Sequence, residues 1–159
     1  MTRQKFWRGG VVKGSAVAGI ELALWDILGK RLGVPVYKLL GGPCRDRIRV
    51  YANGWTGGSL DPAEVRDKAA EVLAHGYDAF KFSVALPSWP VYDPALVRTV
   101  VALAETIRDA IGPDRLLMFD GHGRYDPNAA IALGHALEDV NLLFFEEPVG
   151  QVDEAAMAR

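Results

Sequence analysis

Two apolar runs of this chain end in acidic residues. The first extends from Leu116 to Asp120, and the second extends from Leu142 to Phe145 and continues into Glu146. Apolar runs without alternating polar residues are typical of strands buried on both faces of a parallel sheet. The C-terminal ends of parallel strands meet at one edge, where α/β active sites lie, so the two carboxylates should be close together. We therefore expect Asp120 and Glu146 to be ligands of a hard divalent cation, for which Mg²⁺ is the candidate.

A different interpretation of these carboxylates is also open. Acidic residues at strand ends often meet solvent or cap the next helix, but two of them at matching ends of neighbouring strands favour a ligand pair. Glu147 directly follows Glu146. Since adjacent side chains on a strand point to opposite faces, only one of these glutamates should face the cation, and the period does not decide which.

His122, Arg124 and Lys81 are candidates for the remaining chemistry. If the strand geometry continues past Asp120, His122 points to the same side and can act as a general acid; the alternative is a loop histidine bonded to backbone. Arg124 follows in the same glycine-rich segment, where it either binds a substrate carboxylate or is solvated. Lys81 interrupts an apolar strand, which costs free energy unless the lysine is paired or faces a polar opening, and this favours a functional role.

These candidates lie in a repeating pattern of strands and helices. Four predicted strands are each followed by a helix at a period of roughly 30 residues, the size of a βα unit, which indicates an α/β fold with a parallel sheet. Three helices begin with an Asp-Pro pair, in which aspartate caps the helix and proline takes its first position. The predicted strands cover residues 47–51, 78–84, 115–119 and 142–145, and the predicted helices cover 61–75, 93–111, 126–137 and residues from Asp153 onward.

A further helix is predicted before the first strand. Ser15 can cap it, and it should run to Leu32, where Gly33 and Pro35 end it. A short helical turn follows at residues 36–40. The helical spacing of five apolar residues predicts a buried stripe, which is formed by Val17, Ile20, Leu24, Ile27 and Leu28.

The composition limits the possible partners. The chain has 159 residues, a net charge of −2 and a single cysteine, Cys44. Its lysines and arginines are scattered, whereas a nucleic-acid-binding protein usually has a basic patch, so we expect no nucleic-acid partner. No stretch approaches the roughly 20 apolar residues of a membrane span, so we expect no membrane partner. A single cysteine forms no internal disulfide, which favours a cytoplasmic location.

Several motifs together resemble one enzyme family. The segments ALWDILGK, residues 23–30, and GVPVYKLLGG, residues 33–42, are followed by the Lys81 strand, the Asp120 strand and the Glu-Glu-Pro run that begins at Glu146. The Glu-Glu-Pro run alone would not be specific, but the motifs together are quite specific. The chain resembles the mandelate racemase and muconate lactonizing branch of the enolase superfamily.

This resemblance implies both a fold and a chemistry. Residues 1–45 would be the C-terminal helical part of a capping domain, and residues 46–159 the N-terminal half of a (β/α) TIM-type barrel, with about four βα units. Members of the family bind Mg²⁺ and abstract the proton next to a carboxylate, passing through an enediolate. A half barrel would expose its edge strands and an apolar face, which favours a homo-oligomer or association with a missing half.

The resemblance also implies roles for individual residues. Asp120 and Glu146 match the first two metal ligands, and Lys81 matches the first lysine of the family's Lys-x-Lys strand motif. The Asp120-Gly-His122 segment resembles the Asp-x-His pattern of acid-sugar dehydratases, in which the histidine protonates the departing hydroxide. Ser83 stands where racemases have the second, basic lysine, so racemisation through that lysine is disfavoured, whereas dehydratases use a His-Asp dyad on later strands.

The family's third metal ligand, its His-Asp dyad and its last barrel strands have no counterpart in these 159 residues. We therefore expect a fragment of a Mg²⁺-dependent acid-sugar (aldonate) dehydratase, a lyase that acts on a small sugar acid. The isolated chain should have little or no activity, because the base is missing. Two alternatives stay open: an inactive remnant or assembly piece, and another family activity such as that of a racemase, an epimerase or a cycloisomerase.

Overall fold

The computed structural model describes residues 10–84, 92–150 and 154–159, which belong to two compact units divided between Ile48 and Arg49. No helix in this part of the chain is long and apolar enough to cross a membrane. The first unit contains α1 (Val11–Leu32) and α2 (Val36–Leu39). The second contains α3 (Pro62–Ala74), β1 (Ala79–Ser83), α4 (Pro94–Ile111), β2 (Leu116–Asp120), α5 (Pro127–Ala136), a 3₁₀ turn (Glu138–Val140), β3 (Phe144–Glu146) and α6 (Glu154–Met157).

Three helices begin at the Asp-Pro pairs, as predicted. The side chain of Asp61 accepts hydrogen bonds from two backbone N–H groups of α3, that of Asp93 from one in α4, and that of Asp126 from two in α5. The proline that follows each aspartate has no N–H to satisfy at the helix start. Each such cap stabilises its helix by about 1 kcal/mol. The predicted start of the last helix, Asp153, lies outside the described residues.

The three strands form one parallel sheet in the order β1, β2, β3. In the register, Ser83 lies opposite Asp120, and Asp120 lies opposite Glu146. The strands therefore end at the same level, at the C-terminal edge of the sheet. Because side chains alternate along a strand, Lys81 is on the same face of the sheet as Ser83, Asp120 and Glu146.

The first predicted strand, residues 47–51, is not formed. Ala52, one residue beyond it, makes an isolated parallel bridge to β1 through hydrogen bonds of 2.9 and 2.8 Å. Ile48 and Val50 are exposed, so the segment buries little apolar surface to offset the entropy of ordering it. The described residues thus confirm an α/β class with a parallel sheet of three strands instead of four, and the barrel stays a prediction.

The core of the second unit lies between one face of the sheet and helices α3, α4 and α5. The strands contribute buried side chains at alternate positions, namely Phe80, Phe82, Leu117 and Phe119. Helix α4 contributes Val100, Leu103, Ala104, Ile107 and Ile111. Since these helices cover the face with the aromatic residues, Lys81, Asp120 and Glu146 lie on the opposite face.

The side chain of Arg108 stabilises the N-terminal edge of the sheet. The guanidinium of Arg108 in α4 donates hydrogen bonds of 2.7 to 3.0 Å to the carbonyls of Gly112, Arg115, Val140 and Asn141. Gly112 ends α4, Arg115 precedes β2, and the other two residues lie in the turn before β3. Hydrogen bonds from a charged donor are stronger than neutral ones, so Arg108 holds the starts of two neighbouring strands together.

Helix α1 differs from the prediction in its start and in its stripe. It begins at Val11 after Gly10, so Ser15 lies inside the helix and is not its cap. Within the predicted stripe, Val17 is half-buried and the other four residues are exposed. The principal packing partner of α1 in the described residues is α2, whose 4 residues are too few to cover a helix of 22. The end of α1 is as predicted, because Gly33 takes the left-handed conformation with φ 68°.

Candidate metal and acid–base site

Lys81, Asp120 and Glu146 form an ionic cluster at the C-terminal edge of the sheet. The Nζ atom of Lys81 donates hydrogen bonds to Oδ2 of Asp120 at 2.9 Å and to Oε2 of Glu146 at 2.6 Å. The side chains of Lys81 and Asp120 are 7% and 8% exposed, whereas that of Glu146 is 37% exposed. Two carboxylates thus converge on one cationic group, and the cluster meets solvent on the Glu146 side.

Pairing keeps Lys81 and Asp120 charged in spite of their burial. Burial disfavours the ammonium of Lys81, but the hydrogen bonds to Glu146 and Asp120 outweigh burial and raise the pKa of Lys81. Burial also disfavours the Asp120 carboxylate, but hydrogen bonds from Lys81 and from the backbone N–H of His122 outweigh burial and hold the pKa of Asp120 below its usual value. Lys81 and Asp120 are therefore both ionised at neutral pH.

His122 lies beside this cluster because of a turn and not because the strand continues. Strand β2 ends at Asp120, and His122 takes a left-handed conformation with φ 53°. Its backbone N–H donates to Oδ1 of Asp120 at 3.0 Å, and its Nε2 atom is 3.5 Å from Oδ2. The predicted extended geometry is wrong, yet the turn still places the imidazole next to the carboxylate. The imidazole is 48% exposed, so it is accessible to a molecule that binds at this edge.

The turn after β2 is held against the end of β3. The N–H of Gly121 donates to the Glu146 carbonyl at 2.8 Å, and the N–H of Gly123 donates to the Glu147 carbonyl at 2.7 Å. A Cβ atom at Gly121 would lie 2.9 Å from the Glu147 carbonyl oxygen, so glycine permits this close approach. Glu147 has φ 40° and follows the last residue of β3. Glu146 is thus the glutamate that contacts Lys81. The alternation of side chains along a strand could not decide between Glu146 and Glu147, and the structure does.

Ser83 and Arg124 lie near the same edge of the sheet. Ser83 is the last residue of β1 and faces Asp120 in the register. Arg124 follows in the turn after β2, where its backbone N–H donates to the Gly121 carbonyl at 3.2 Å and the residue is partly buried. The roles of Arg124, His122 and the cluster in catalysis remain predictions.

Two aromatic residues adjoin Lys81 and are not among the predicted site residues. The ring centroid of Tyr51 is 5.4 Å from Nζ of Lys81, which is within cation–π distance. The indole N–H of Trp55 donates to the Lys81 carbonyl at 3.0 Å, and its ring packs edge-on against Phe80. The available signal is their position, because Tyr51 ends the first predicted strand and Trp55 follows it closely.

The donor set of the cluster fits a hard divalent cation. Asp120 and Glu146 supply carboxylate oxygens, the ligand type that Mg²⁺ prefers, and Mg²⁺ completes its coordination with water. Both carboxylates already face one positive charge, that of Lys81. Within residues 10–84, 92–150 and 154–159, no group of three His, Cys, Asp or Glu side chains is arranged to hold a metal ion. The two carboxylates are therefore the candidate ligands from this part of the chain.

Comparison with protein families identifies relatives of both units. The family described as "Enolase C-terminal domain-like" matches residues 64–159. The family described as "Mandelate racemase / muconate lactonizing enzyme, N-terminal domain" matches residues 1–41. The first match alone spans more than half of the chain and includes Lys81, Asp120, His122 and Glu146, and the second precedes it in the family's order.

Similar curated proteins are dehydratases of sugar acids. The D-gluconate dehydratase of Thermoproteus tenax is 42% identical over 139 residues, which cover 87% of this chain and 28% of that protein. The D-galactonate dehydratase of Variovorax paradoxus (strain S110) is 44% identical over 149 residues, which cover 94% of this chain and 38% of that protein. The chain thus spans 28% to 38% of the length of these two relatives.

Similar solved structures come from the same superfamily. A member of the enolase superfamily from Salmonella Typhimurium superposes with a TM-score of 0.84 at 32% identity, covering 94% of this chain and 43% of that one. An enolase from Pantoea ananatis with bound D-gluconate and Mg superposes with a TM-score of 0.76 at 30% identity, covering 96% of this chain and 44% of that one. From the family matches and these relatives together, the chain belongs to the mandelate racemase and muconate lactonizing enzyme family of the enolase superfamily, within which it resembles the acid-sugar dehydratases.

Proposed function

We propose that this chain is part of a Mg²⁺-dependent acid-sugar dehydratase, which removes water from an aldonate. The observation that carries the proposal is that Lys81, Asp120, Glu146 and His122 meet at one edge of a parallel sheet. This set combines carboxylates that can hold a cation, an ammonium that can attract a substrate carboxylate, and an imidazole that can donate a proton. The names of the relatives, D-gluconate dehydratase and D-galactonate dehydratase, support an aldonate as the substrate class.

Dehydration of an aldonate requires that one proton is removed and one hydroxyl is protonated. The C2–H bond breaks, and its electron pair is delocalised into the carboxylate. The C3–O bond then breaks as the hydroxyl takes up a proton and leaves as water, and the enol that remains becomes a 2-oxo-3-deoxy acid. We assign the protonation of the hydroxyl to His122, whose accessible imidazole lies beside Asp120. When bound, Mg²⁺ stabilises the negative charge that develops on the substrate carboxylate.

The other site residues bind and orient. Asp120 and Glu146 hold the cation, and Lys81 attracts the substrate carboxylate from a buried position in which electrostatic interactions are strong. Arg124, in the turn that also carries His122, binds the substrate. We assign no general base within the described residues, since the resemblance to dehydratases places that base on later strands.

Racemisation through a lysine at this edge is disfavoured by the position of Ser83. Ser83 pairs with Asp120 in the register and lies two residues after Lys81 on the same strand, so its side chain faces the candidate site. It is the residue that stands where racemases have their second lysine, and a neutral hydroxyl is a poor base. Dehydration, with its base elsewhere, fits this residue better than racemisation does.

The fold and setting of the full enzyme also belong to the proposal. Residues 1–45 would be the C-terminal helical part of a capping domain, and residues 46–159 the N-terminal half of a barrel. Assembly as a homo-oligomer, or with a partner that supplies further strands, would cover β3 and the residue before it, where Phe144 and Leu143 are exposed. A cytoplasmic location is in keeping with the single cysteine, Cys44, which is exposed and free.

Metal binding is the first test. Mg²⁺ affinity is measured by isothermal titration calorimetry with MgCl₂. Loss of a residue that only supports a metal ligand typically lowers metal affinity by roughly 10- to 100-fold. Asp120→Asn and Glu146→Gln each remove a proposed ligand, so each should lower Mg²⁺ affinity by at least this factor. Glu147→Gln is the matched control, because Glu146 is the glutamate whose carboxylate accepts the hydrogen bond from Lys81. Equal effects of all three substitutions, or none, would contradict the assignment of the ligands.

Sugar-acid binding and turnover are the second test. The chain is incubated with a panel of aldonic acids that includes D-gluconate and D-galactonate, with and without Mg²⁺, and followed by ¹H NMR. We expect Mg²⁺-dependent binding of at least one aldonate and little or no turnover by the chain alone. Failure of every aldonate to bind contradicts the substrate class, whereas formation of a 2-oxo-3-deoxy acid shows that the chain carries its own base.

A further inference from the structure

We propose that Lys81 is a built-in counter-cation that competes with Mg²⁺ for the carboxylates of Asp120 and Glu146. Its ammonium must leave these carboxylates before they bind the metal, and it then becomes available to the carboxylate of a sugar acid. This inference rests on the proposed function, because it takes Asp120 and Glu146 as metal ligands. It adds a role for Lys81 as the residue that sets the affinity of the site for metal.

The competition follows from the atoms that are in contact. One oxygen of Asp120 and one of Glu146 are within 2.9 and 2.6 Å of Nζ. The ammonium therefore occupies the position on which both carboxylates converge. Lys81 and Asp120 are almost completely buried, so a second cation on the same oxygens would be repelled with little screening by water. Lysine and metal are thus alternative counter-ions for one pair of carboxylates.

The exchange can take place in the side chain of Lys81 alone. The backbone of Lys81 is fixed within β1, its N–H donates to the Ala52 carbonyl at 2.8 Å, and its carbonyl accepts from the indole of Trp55 at 3.0 Å. The ring of Tyr51, 5.4 Å from Nζ, gives the ammonium a favourable contact outside the carboxylate pair. A fixed backbone, and a contact of the ammonium that does not depend on the carboxylates, favour such an exchange.

A consequence is that metal and sugar acid favour each other's binding. While Lys81 is paired with both carboxylates, its ammonium is not available to an anion. Once the carboxylates bind the metal, the released ammonium can pair with the substrate carboxylate. Because such coupling is reciprocal, the aldonate should also raise the affinity for Mg²⁺.

The test compares two lysine substitutions by calorimetry with MgCl₂ alone. Lys81→Met removes the charge but keeps the length of the side chain, and it should raise Mg²⁺ affinity by a factor in the range of about 5 to 150, which is typical of coupling between sites. Lys68→Met is the matched control, because Lys68 pairs with Glu64 at 2.6 Å, outside the cluster, and its loss should leave Mg²⁺ affinity unchanged. An unchanged or lowered affinity in Lys81→Met would overturn the proposal.

A second measurement uses the unaltered chain, in case Lys81→Met does not fold. Lysines are acetylated briefly with acetic anhydride, with and without Mg²⁺, and the modified positions are quantified by mass spectrometry. Addition of Mg²⁺ should release the Lys81 ammonium from the carboxylates of Asp120 and Glu146, so acetylation of Lys81 should increase several-fold. Acetylation of Lys68 should stay constant. If Mg²⁺ binds and acetylation of Lys81 does not rise, Lys81 is not displaced, and the inference is wrong.

The outcomes also separate this inference from the proposed function. Binding of Mg²⁺ by the unaltered chain that is weakened by Asp120→Asn supports the proposed metal site, whatever Lys81→Met does. If that site is present and Lys81→Met binds Mg²⁺ no more tightly, the competition alone is refuted. If neither the unaltered chain nor Lys81→Met binds Mg²⁺, both the metal site and the competition are refuted.

Discussion

The two units of the chain bury their long helices to very different extents. Helix α1 has 22 residues, all of them described, and buries Gly29 alone, whereas the 18 residues of α4 bury five side chains. Both helices carry apolar residues at helical spacing. The principal partner of α1 is the single turn α2, whereas α4 packs within a sheet-and-helix core. Helical periodicity therefore marks the apolar face of a helix, and burial depends on the element that packs against that face.

The largest expected difference between the units is the effect of shortening an isoleucine. Ile107 in α4 is 0% exposed and Ile27 in α1 is 61% exposed. Ile107→Ala should lower the free energy of unfolding by about 2–5 kcal/mol, because it leaves a cavity in the core. Ile27→Ala should change it by no more than about 0.5 kcal/mol. Urea unfolding monitored by circular dichroism measures both free energies. A similar loss of stability in the two variants would show that α1 and α4 do not differ in burial.

A smaller effect is expected at the one tightly packed position of α1. A Cβ atom on Gly29 would lie 2.8 Å from the Val34 carbonyl oxygen, so Gly29→Ala should destabilise the α1–α2 corner by about 1–3 kcal/mol. The Val34 N–H donates to the Gly29 carbonyl at 3.0 Å, so amide hydrogen exchange at Val34 should become faster.

The control for this substitution lies in the same helix. Gly19 has no atom within 4 Å of an added Cβ, so Gly19→Ala should stabilise α1 by about 0.5–1 kcal/mol through helix propensity. We expect slower amide hydrogen exchange within α1 in Gly19→Ala and faster amide hydrogen exchange at Val34 in Gly29→Ala. Equal exchange at Val34 in both variants would show that the corner is not tightly packed.

A small effect is also expected at the helix starts. Asp93 caps α4 through a 2.9 Å hydrogen bond from the Ala95 N–H, and Asp93→Ala should cost about 1 kcal/mol. Ser15 lies inside α1, so Ser15→Ala should leave stability unchanged or raise it by a few tenths of a kcal/mol. Thermal unfolding of both variants gives the comparison. A loss in Ser15→Ala comparable to that in Asp93→Ala would mean that α1 starts at Ser15 after all.

Local signals in the sequence were sufficient for the three helix starts at Asp-Pro pairs and for three of the strands. The Asp-Pro pairs combine a cap and a fixed φ in two adjacent residues, so they need no distant contact to be interpreted. The proximity of Asp120 and Glu146 was also predictable, because parallel strands that end together place their last side chains at one edge.

Non-local contacts explain what the sequence could not predict. Residues 47–51 have the alternation of a strand, and α1 has the spacing of a buried helix, but neither pattern shows whether a packing partner is present. The contacts of Tyr51 and Trp55 with Lys81 join residues far apart in the chain and have no sequence spacing of their own. The left-handed φ of His122 depends on the hydrogen bonds that hold the turn against β3.

Arg108 has a consequence for how this protein can change over evolution. Its guanidinium is hydrogen-bonded to the segments that precede β2 and β3, at the edge of the sheet opposite to Asp120, Glu146 and His122. The alignment of the strands is thus stabilised by groups that lie at the opposite edge from Asp120, Glu146 and His122. Residues in the turn that carries His122 and Arg124 can therefore be replaced while the strands stay aligned, so the groups presented at that edge can vary over evolution without a change in the scaffold.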